Sequence, residues 1–280
     1  IASLPDQFET AGLTVEQHHA TSADGTRVPY FVVQAEDAPM DGTNPTLLYA
    51  YGGFQISQTP SYLGPMGKSW VESGGVYVLA NIRGGGEFGP DWWKAALKEN
   101  RQRAYDDFIA VSEDLIERGI TSPDHLGIMG GSNGGLLVGV AMTQRPDLYD
   151  AVVVQVPLLD MRRYHRLLAG ASWMAEYGNP DLPEEWAYIR EYSPYQNVRA
   201  DVDYPRPFIF TTTRDDRVHP GHARKMAALM SGMGHEMFYF ENVEGGHGAG
   251  VTPEQRAESL ALTLAYLHLQ LGEGREPISQ

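Results

Sequence analysis

Short apolar runs alternate with amphipathic stretches along most of this chain. Residues 28–34 (VPYFVVQ), 46–51 (TLLYAY) and 76–81 (VYVLAN) read as strands, and so do 126–129 (LGIM), 151–156 (AVVVQV), 207–212 (PFIFTT) and 236–240 (EMFYF). Over 105–118, Phe108, Val111 and Leu115 fall on one helical face, and Gly119 supplies a stop. Further helices are expected after the turn at 130–135, ending near Arg145 and Pro146, and over 222–233 and 253–271. The run 151–156 has no polar face, as in a strand covered on both sides within a parallel sheet. Residues 1–27 are mixed and polar, and the tail after Gly272 is expected to fray. Strands alternating with helices predict an α/β domain with a mainly parallel, doubly wound sheet flanked by helices. The alternation lapses at about 157–200, a segment rich in Trp, Tyr, Arg and Pro with a helical piece at 161–168. An insertion there would lie over the C-terminal edge of the sheet, where α/β sites are built.

The 280 residues are enough for one large domain spanning 1–280. A net charge of -15 argues against nucleic acid, which demands a basic face, and against an anionic membrane surface. With no cysteine, disulfides, thiol catalysis and thiolate metal sites are excluded. No apolar run approaches the length of a membrane span. The chain begins at Ile1 with no signal-peptide pattern, so a leader or an upstream domain is expected to have been removed and the compartment is open, cytoplasmic or periplasmic.

The turn Gly130-Gly131-Ser132-Asn133-Gly134-Gly135 carries the chemistry. Gly130, Ser132 and Gly134 fit G-x-S-x-G, in which a sharp strand-to-helix turn lifts a serine hydroxyl clear of the sheet. The alternative is an ordinary small-residue turn. A serine hydroxyl needs a base to take its proton, and the base needs an orienting carboxylate. In the α/β-hydrolase fold the chain order is Ser, then Asp or Glu, then His, on loops after later strands. Among nine histidines, His247 stands in a glycine-rich loop after the last strand. The loop after 207–212 offers Asp215 and Asp216, and the residue pattern does not separate them.

Taken together, the motifs resemble the catalytic domain of the prolyl oligopeptidase family of serine peptidases. They are YGGF at 51–54, RGGGEFG at 83–89, GGSNGGLL at 130–137, RPDLYDAVV at 145–153, the aromatic pattern of Trp173, Tyr177 and Gly178, DDRV at 215–218 and GGHGAG at 245–250. The resemblance implies Ser132 as nucleophile, His247 as general base and Asp215 as orienting acid. It implies an oxyanion hole from the Tyr51 hydroxyl and the Asn133 backbone N–H. Trp173 would be the floor on which a substrate proline ring stacks, with Phe54, Leu158, Ala169, Tyr177 and Val218 as walls. Arg217 would bind a substrate carbonyl. Each has a plainer reading: Trp173 and Phe54 as core aromatics, Arg217 as the neutraliser of Asp216.

Family members usually carry a β-propeller, which these residues do not contain; its absence would expose apolar surface around the site and favour self-association into a homo-oligomer or open access for esters. Gly84, Gly86 and Gly89 also match G-x-G-x-x-G, but a dinucleotide fingerprint needs a helix opening directly on the glycines, and Pro90-Asp91-Trp92-Trp93 follows instead. Three functions stay open: a peptidase cleaving after proline, a carboxylesterase with the same triad, and a non-catalytic binding domain. The first two act on a small peptide or an ester, and neither needs a metal or organic cofactor.

Overall fold

The computed structural model describes residues 7–248 and 252–272. The expected tail after Gly272, the start at Ile1 and the last two residues of the GGHGAG motif, Ala249 and Gly250, lie outside the described residues.

Among the described residues, eight strands form one sheet: β1 (Leu13–Thr21), β2 (Arg27–Ala35), β3 (Thr46–Tyr49), β4 (Val76–Ala80), β5 (Leu126–Gly131), β6 (Ala151–Gln155), β7 (Phe208–Thr212) and β8 (Phe238–Asn242). Their order is β1-β2-β4-β3-β5-β6-β7-β8. The pairs β1/β2 and β2/β4 are antiparallel, and every later pair is parallel. The α-helices among the described residues are α1 (Pro90–Lys94), α2 (Gln102–Glu117), α3 (Asn133–Gln144), α4 (Met174–Tyr177), α5 (Pro183–Tyr192), α6 (Pro194–Asn197), α7 (Gly221–Gly232) and α8 (Pro253–Leu271).

The apolar strands are explained by a core on both faces of the sheet. In β6, Val152 and Val154 join Ile128, Phe108, Val111, Leu137 and Met226 on the side of α2, α3 and α7. The alternate residues Ala151 and Val153 join Leu47, Phe208, Trp70 and Leu267 on the side of α8. A strand buried on both faces has no polar position to show. Helix α8 begins with a capping box, in which Thr252 and Gln255 satisfy each other's backbone N–H groups, and Pro253 sits where no N–H is needed.

Three elements differ from the sequence expectation. Strand β1 lies in the stretch read as mixed and polar. It is an edge strand with Val15 exposed, so it lacks a continuous apolar face, yet it pairs with β2 along its whole length. The expected helix at 161–168 is instead a turn followed by 3-10 segments, Tyr164–Arg166 and Leu168–Trp173. A short helix, α1, does open at Pro90 directly after Gly89, contrary to the argument made against the glycine-rich loop. Pro at the first helical position suits it. The glycines are nonetheless used for packing within the chain. A Cβ on Gly84 would stand 2.4 Å from the Gly52 carbonyl oxygen, and one on Gly86 would stand 2.2 Å from that of Gln55. The glycines let the loop lie against the turn after β3, leaving no space on that side for a pyrophosphate.

From β3 the chain moves outward to β4, then returns past β3 to continue through β5, β6, β7 and β8. The boundary between β3 and β5 is therefore a topological switch point, where loops diverge and leave a crevice at the strands' C-terminal ends. The residues of interest leave from these ends. Tyr51 follows β3, Ser132 follows β5, Asp215 follows β7 and His247 follows β8.

Candidate active site

Ser132 stands between β5 and α3 with φ +59° and ψ -116°, a backbone conformation that costs a non-glycine residue energy. Its N–H donates to the Gln155 carbonyl at 2.9 Å, which ties the turn to β6. The turn is tight enough to dictate a glycine: a Cβ on Gly130 would fall 2.1 Å from the Gly134 carbonyl oxygen. Asn133 is the first residue of α3, so its backbone N–H belongs to the group that finds no acceptor within the helix.

His247 and Asp215 are brought together. The imidazole Nδ1 lies 2.8 Å from Asp215 Oδ2, so Nδ1 carries the proton and donates it to the carboxylate. The other oxygen, Oδ1, accepts the backbone N–H groups of Arg217 at 2.9 Å and Val218 at 2.8 Å. The Asp215 side chain is fully buried and that of His247 is 14% exposed. The loop bearing the histidine is steadied by Thr212, whose hydroxyl donates to the Gly246 carbonyl at 2.7 Å. Asp216 is exposed, so the pair that the residue pattern could not separate is distinguished by burial and partner. Among the described residues, no ion pair joins Arg217 to Asp216, and the exposed Arg217 holds Ala169 through its backbone carbonyl at 3.3 Å.

Burial raises the Tyr51 phenol above its ordinary value, while the neighbouring Ser132 side chain and the nearby Arg217 and Arg101 pull the other way. The phenol therefore keeps its proton at neutral pH and remains a donor. Phe54 lies edge-on to Tyr177, with ring centroids 5.7 Å apart. Tyr177, Leu158 and Val218 are buried, whereas Phe54, Ala169 and Trp173 are partly exposed.

Behind this surface lies a buried polar network. Arg101 pairs with Glu176 at 3.0 Å, and both are almost wholly excluded from solvent. Arg101 also donates to the Gly52 carbonyl at 2.8 Å and to Asn133 Oδ1 at 2.7 Å. Asn133 Oδ1 accepts the Tyr177 hydroxyl at 2.6 Å, and Asn133 Nδ2 donates to the Tyr51 carbonyl at 2.5 Å. Glu176 accepts the Phe54 N–H and the Trp93 indole N–H, each at 2.9 Å. With its acceptors and donors satisfied, this network can hold a charge pair in the interior; removing one partner of such a pair costs about 3–5 kcal/mol.

A family model described as the prolyl oligopeptidase family matches residues 65–274. The chain belongs to that family. An uncharacterized peptidase of Sinorhizobium fredii is 59% identical over 275 residues, covering 98% of this chain and 38% of its own length. A prolyl endopeptidase of Elizabethkingia miricola is 40% identical over 270 residues, covering 95% of this chain and 38% of its own. The solved structure of a post-proline cleaving enzyme from Rickettsia typhi superposes with a TM-score of 0.93 at 44% identity, over 97% of this chain and 40% of that one. The chain thus spans somewhat over a third of the length of these relatives. Its fold is that of the α/β-hydrolase domain of prolyl oligopeptidases.

Within this prolyl oligopeptidase domain, sequence reasoning missed Arg101 and Glu176. Arg101 sits in a polar stretch, KENRQR, that suggests a solvated surface. Glu176 was passed over inside the aromatic pattern that singled out Trp173 and Tyr177. The one available signal was that position, a carboxylate next to an aromatic already singled out. No described helix is long and apolar enough to cross a membrane.

Proposed function

We propose that this domain serves a serine peptidase that cleaves peptide bonds after proline through an acyl-enzyme on Ser132. The observation that carries the reading is the His247–Asp215 pair, carried on loops that leave the same C-terminal side of the sheet as a serine held in a strained elbow at the switch point. Relatives named as prolyl endopeptidases and post-proline cleaving enzymes supply the bond type.

His247 takes the proton of Ser132 through its second ring nitrogen as the serine oxygen attacks the carbonyl carbon. The imidazolium that forms is stabilised by Asp215, which stays ionised. The Tyr51 hydroxyl and the Asn133 backbone N–H receive the developing oxyanion. His247 then gives the proton to the leaving amine. Water, deprotonated by the same imidazole, releases the acyl group and restores Ser132. The proline ring lies on Trp173 between Phe54, Leu158, Ala169, Tyr177 and Val218, and Arg217 takes a substrate carbonyl. An ester would be cleaved by the same steps, but it has no use for Trp173 or Arg217.

The test is fluorophosphonate labelling with mapping of the modified residue, together with turnover of a prolyl amide and of a short-chain ester. The reading expects the label on Ser132, amide turnover, and loss of both in a folded Ser132→Ala variant. Ester turnover with no amide turnover would overturn the peptidase assignment.

A further inference from the structure

We infer that Glu176, braced by Arg101, is a positioning residue that sets the turn 51–54 for catalysis, acting on turnover through Tyr51 and on substrate affinity through Phe54. The inference rests on the serine peptidase reading above.

That turn carries two functions only a few residues apart, the phenol neighbouring Ser132 and an aromatic wall of the proposed proline pocket. It is not a conformation the chain adopts readily. Phe54 and Gln55 both lie in the left-handed region, with φ +57° and +56°, where side-chain-bearing residues are disfavoured. The turn must therefore be held, and its backbone groups show by what. The Tyr51 carbonyl accepts from Asn133, the Gly52 carbonyl from Arg101, and the Phe54 N–H donates to Glu176. The Gln55 N–H donates to the Gly84 carbonyl at 3.1 Å. Three of these four bonds lead to the ion pair, directly or through Asn133, which itself accepts from Arg101.

The chemistry of position 176 calls for a carboxylate. Three donors converge on it: the Phe54 N–H, the Arg101 guanidinium and the Trp93 indole N–H. An ionised carboxylate accepts at both oxygens, whereas an amide of the same shape would turn an NH2 group toward one of these donors. Glu176 also belongs to the segment α4, whose next residue is Tyr177 and which directly follows Trp173. One side chain thus ties the proposed oxyanion donor to the proposed pocket, so that both keep a fixed place relative to the nucleophile.

A double-mutant cycle tests this, using Glu176→Gln, Tyr51→Phe and the pair, with a chromogenic prolyl amide and a thermal melt of each protein. Glu176→Gln alone is expected to lower kcat about tenfold or more and to raise KM, since a displaced oxyanion donor loses most of its effect. In the Tyr51→Phe background the same change should lower kcat less than about twofold, while the rise in KM persists through Phe54. If Glu176→Gln does not fold, Trp93→Phe removes one donor from the carboxylate at a partly exposed position and should give a smaller version of the same pattern. A folded variant with unchanged kcat, or kcat losses that multiply across the cycle, would overturn the inference. Wild-type protein that turns over neither amide nor ester and takes no label on Ser132 would instead bring down the peptidase reading, and this inference with it.

Discussion

Asp215 divides its carboxylate between two tasks: one oxygen accepts the His247 Nδ1–H at 2.8 Å, and the other is fixed by the backbone N–H groups of Arg217 and Val218. The carboxylate cannot rotate away from the imidazole without giving up two hydrogen bonds in a buried setting. The orientation of the proposed base is thus written into the loop after β7.

Asp215→Asn should therefore reduce kcat by about 10³–10⁴, because an amide no longer enforces the tautomer the base requires. Asp216→Asn should leave kcat within about twofold, since that side chain is exposed. Steady-state kinetics of the two variants decide it, and the reverse ranking would show that the orienting carboxylate had been misassigned.

Tyr51→Phe should lower kcat by about 10²–10³ with little change in KM, the signature of a contact made mainly in the transition state. Because burial holds the phenol above its ordinary value, Tyr51 stays protonated through the neutral and mildly alkaline range. The wild-type rate profile should accordingly show no loss assignable to Tyr51 below about pH 10, where an unperturbed phenol would already be half ionised. A falling limb below that pH that disappears in Tyr51→Phe would contradict this.

Trp173→Ala should raise KM for a prolyl amide at least about tenfold, as a lost aromatic floor does. Turnover of a short acyl ester should change by less than about threefold. Equal losses on both substrates would mean that Trp173 supports the fold rather than the proline ring.

His222 predicts an acid-sensitive stability. It is buried in α7, and its Nδ1 accepts the backbone N–H groups of Leu159 at 3.2 Å and Asp160 at 3.0 Å. Burial lowers it from 6.5 to about 4, with Asp160 and Asp215 opposing that shift and Lys225 and His219 adding to it. Below about pH 6.5 the unfolded chain takes up a proton that the folded chain refuses until about pH 4. Stability should fall across that window as pH drops, by at most about 1.4 kcal/mol per pH unit from this group. Carboxylates held low by partners, such as Glu241 at about 2 beside Arg224, add their loss only below the ordinary carboxylate range. Urea midpoints at pH 7.5 and 5.0 should converge in His222→Gln; an unchanged gap would place the sensitivity elsewhere.

Much of the architecture was legible because burial leaves a simple mark. A strand covered on both faces, such as β6, is apolar up to its last residue, and Gly130 and Gly135 near Ser132 are forced by close backbone contact. Strand β1 left no such mark, since its pairing is made by backbone groups and all but one of its residues are exposed or only partly buried. Asp215 and Asp216 were equivalent as letters, and only the loop's path buries one and exposes the other. Arg101 and Glu176 were hidden for the opposite reason. Charged residues suggest a surface, and nothing local says that two such residues 75 positions apart will neutralise each other in the interior.

Strand β8 is the last in the sheet, and among the described residues it pairs only with β7. The loop bearing His247 hangs from this outermost rung, while Ser132 is anchored in the middle of the sheet. Edge strands of this kind open at a lower free-energy cost than central ones. On gentle warming, the proposed proton acceptor should thus lose its place while the main body is still folded, so that activity disappears before structure does and returns on cooling.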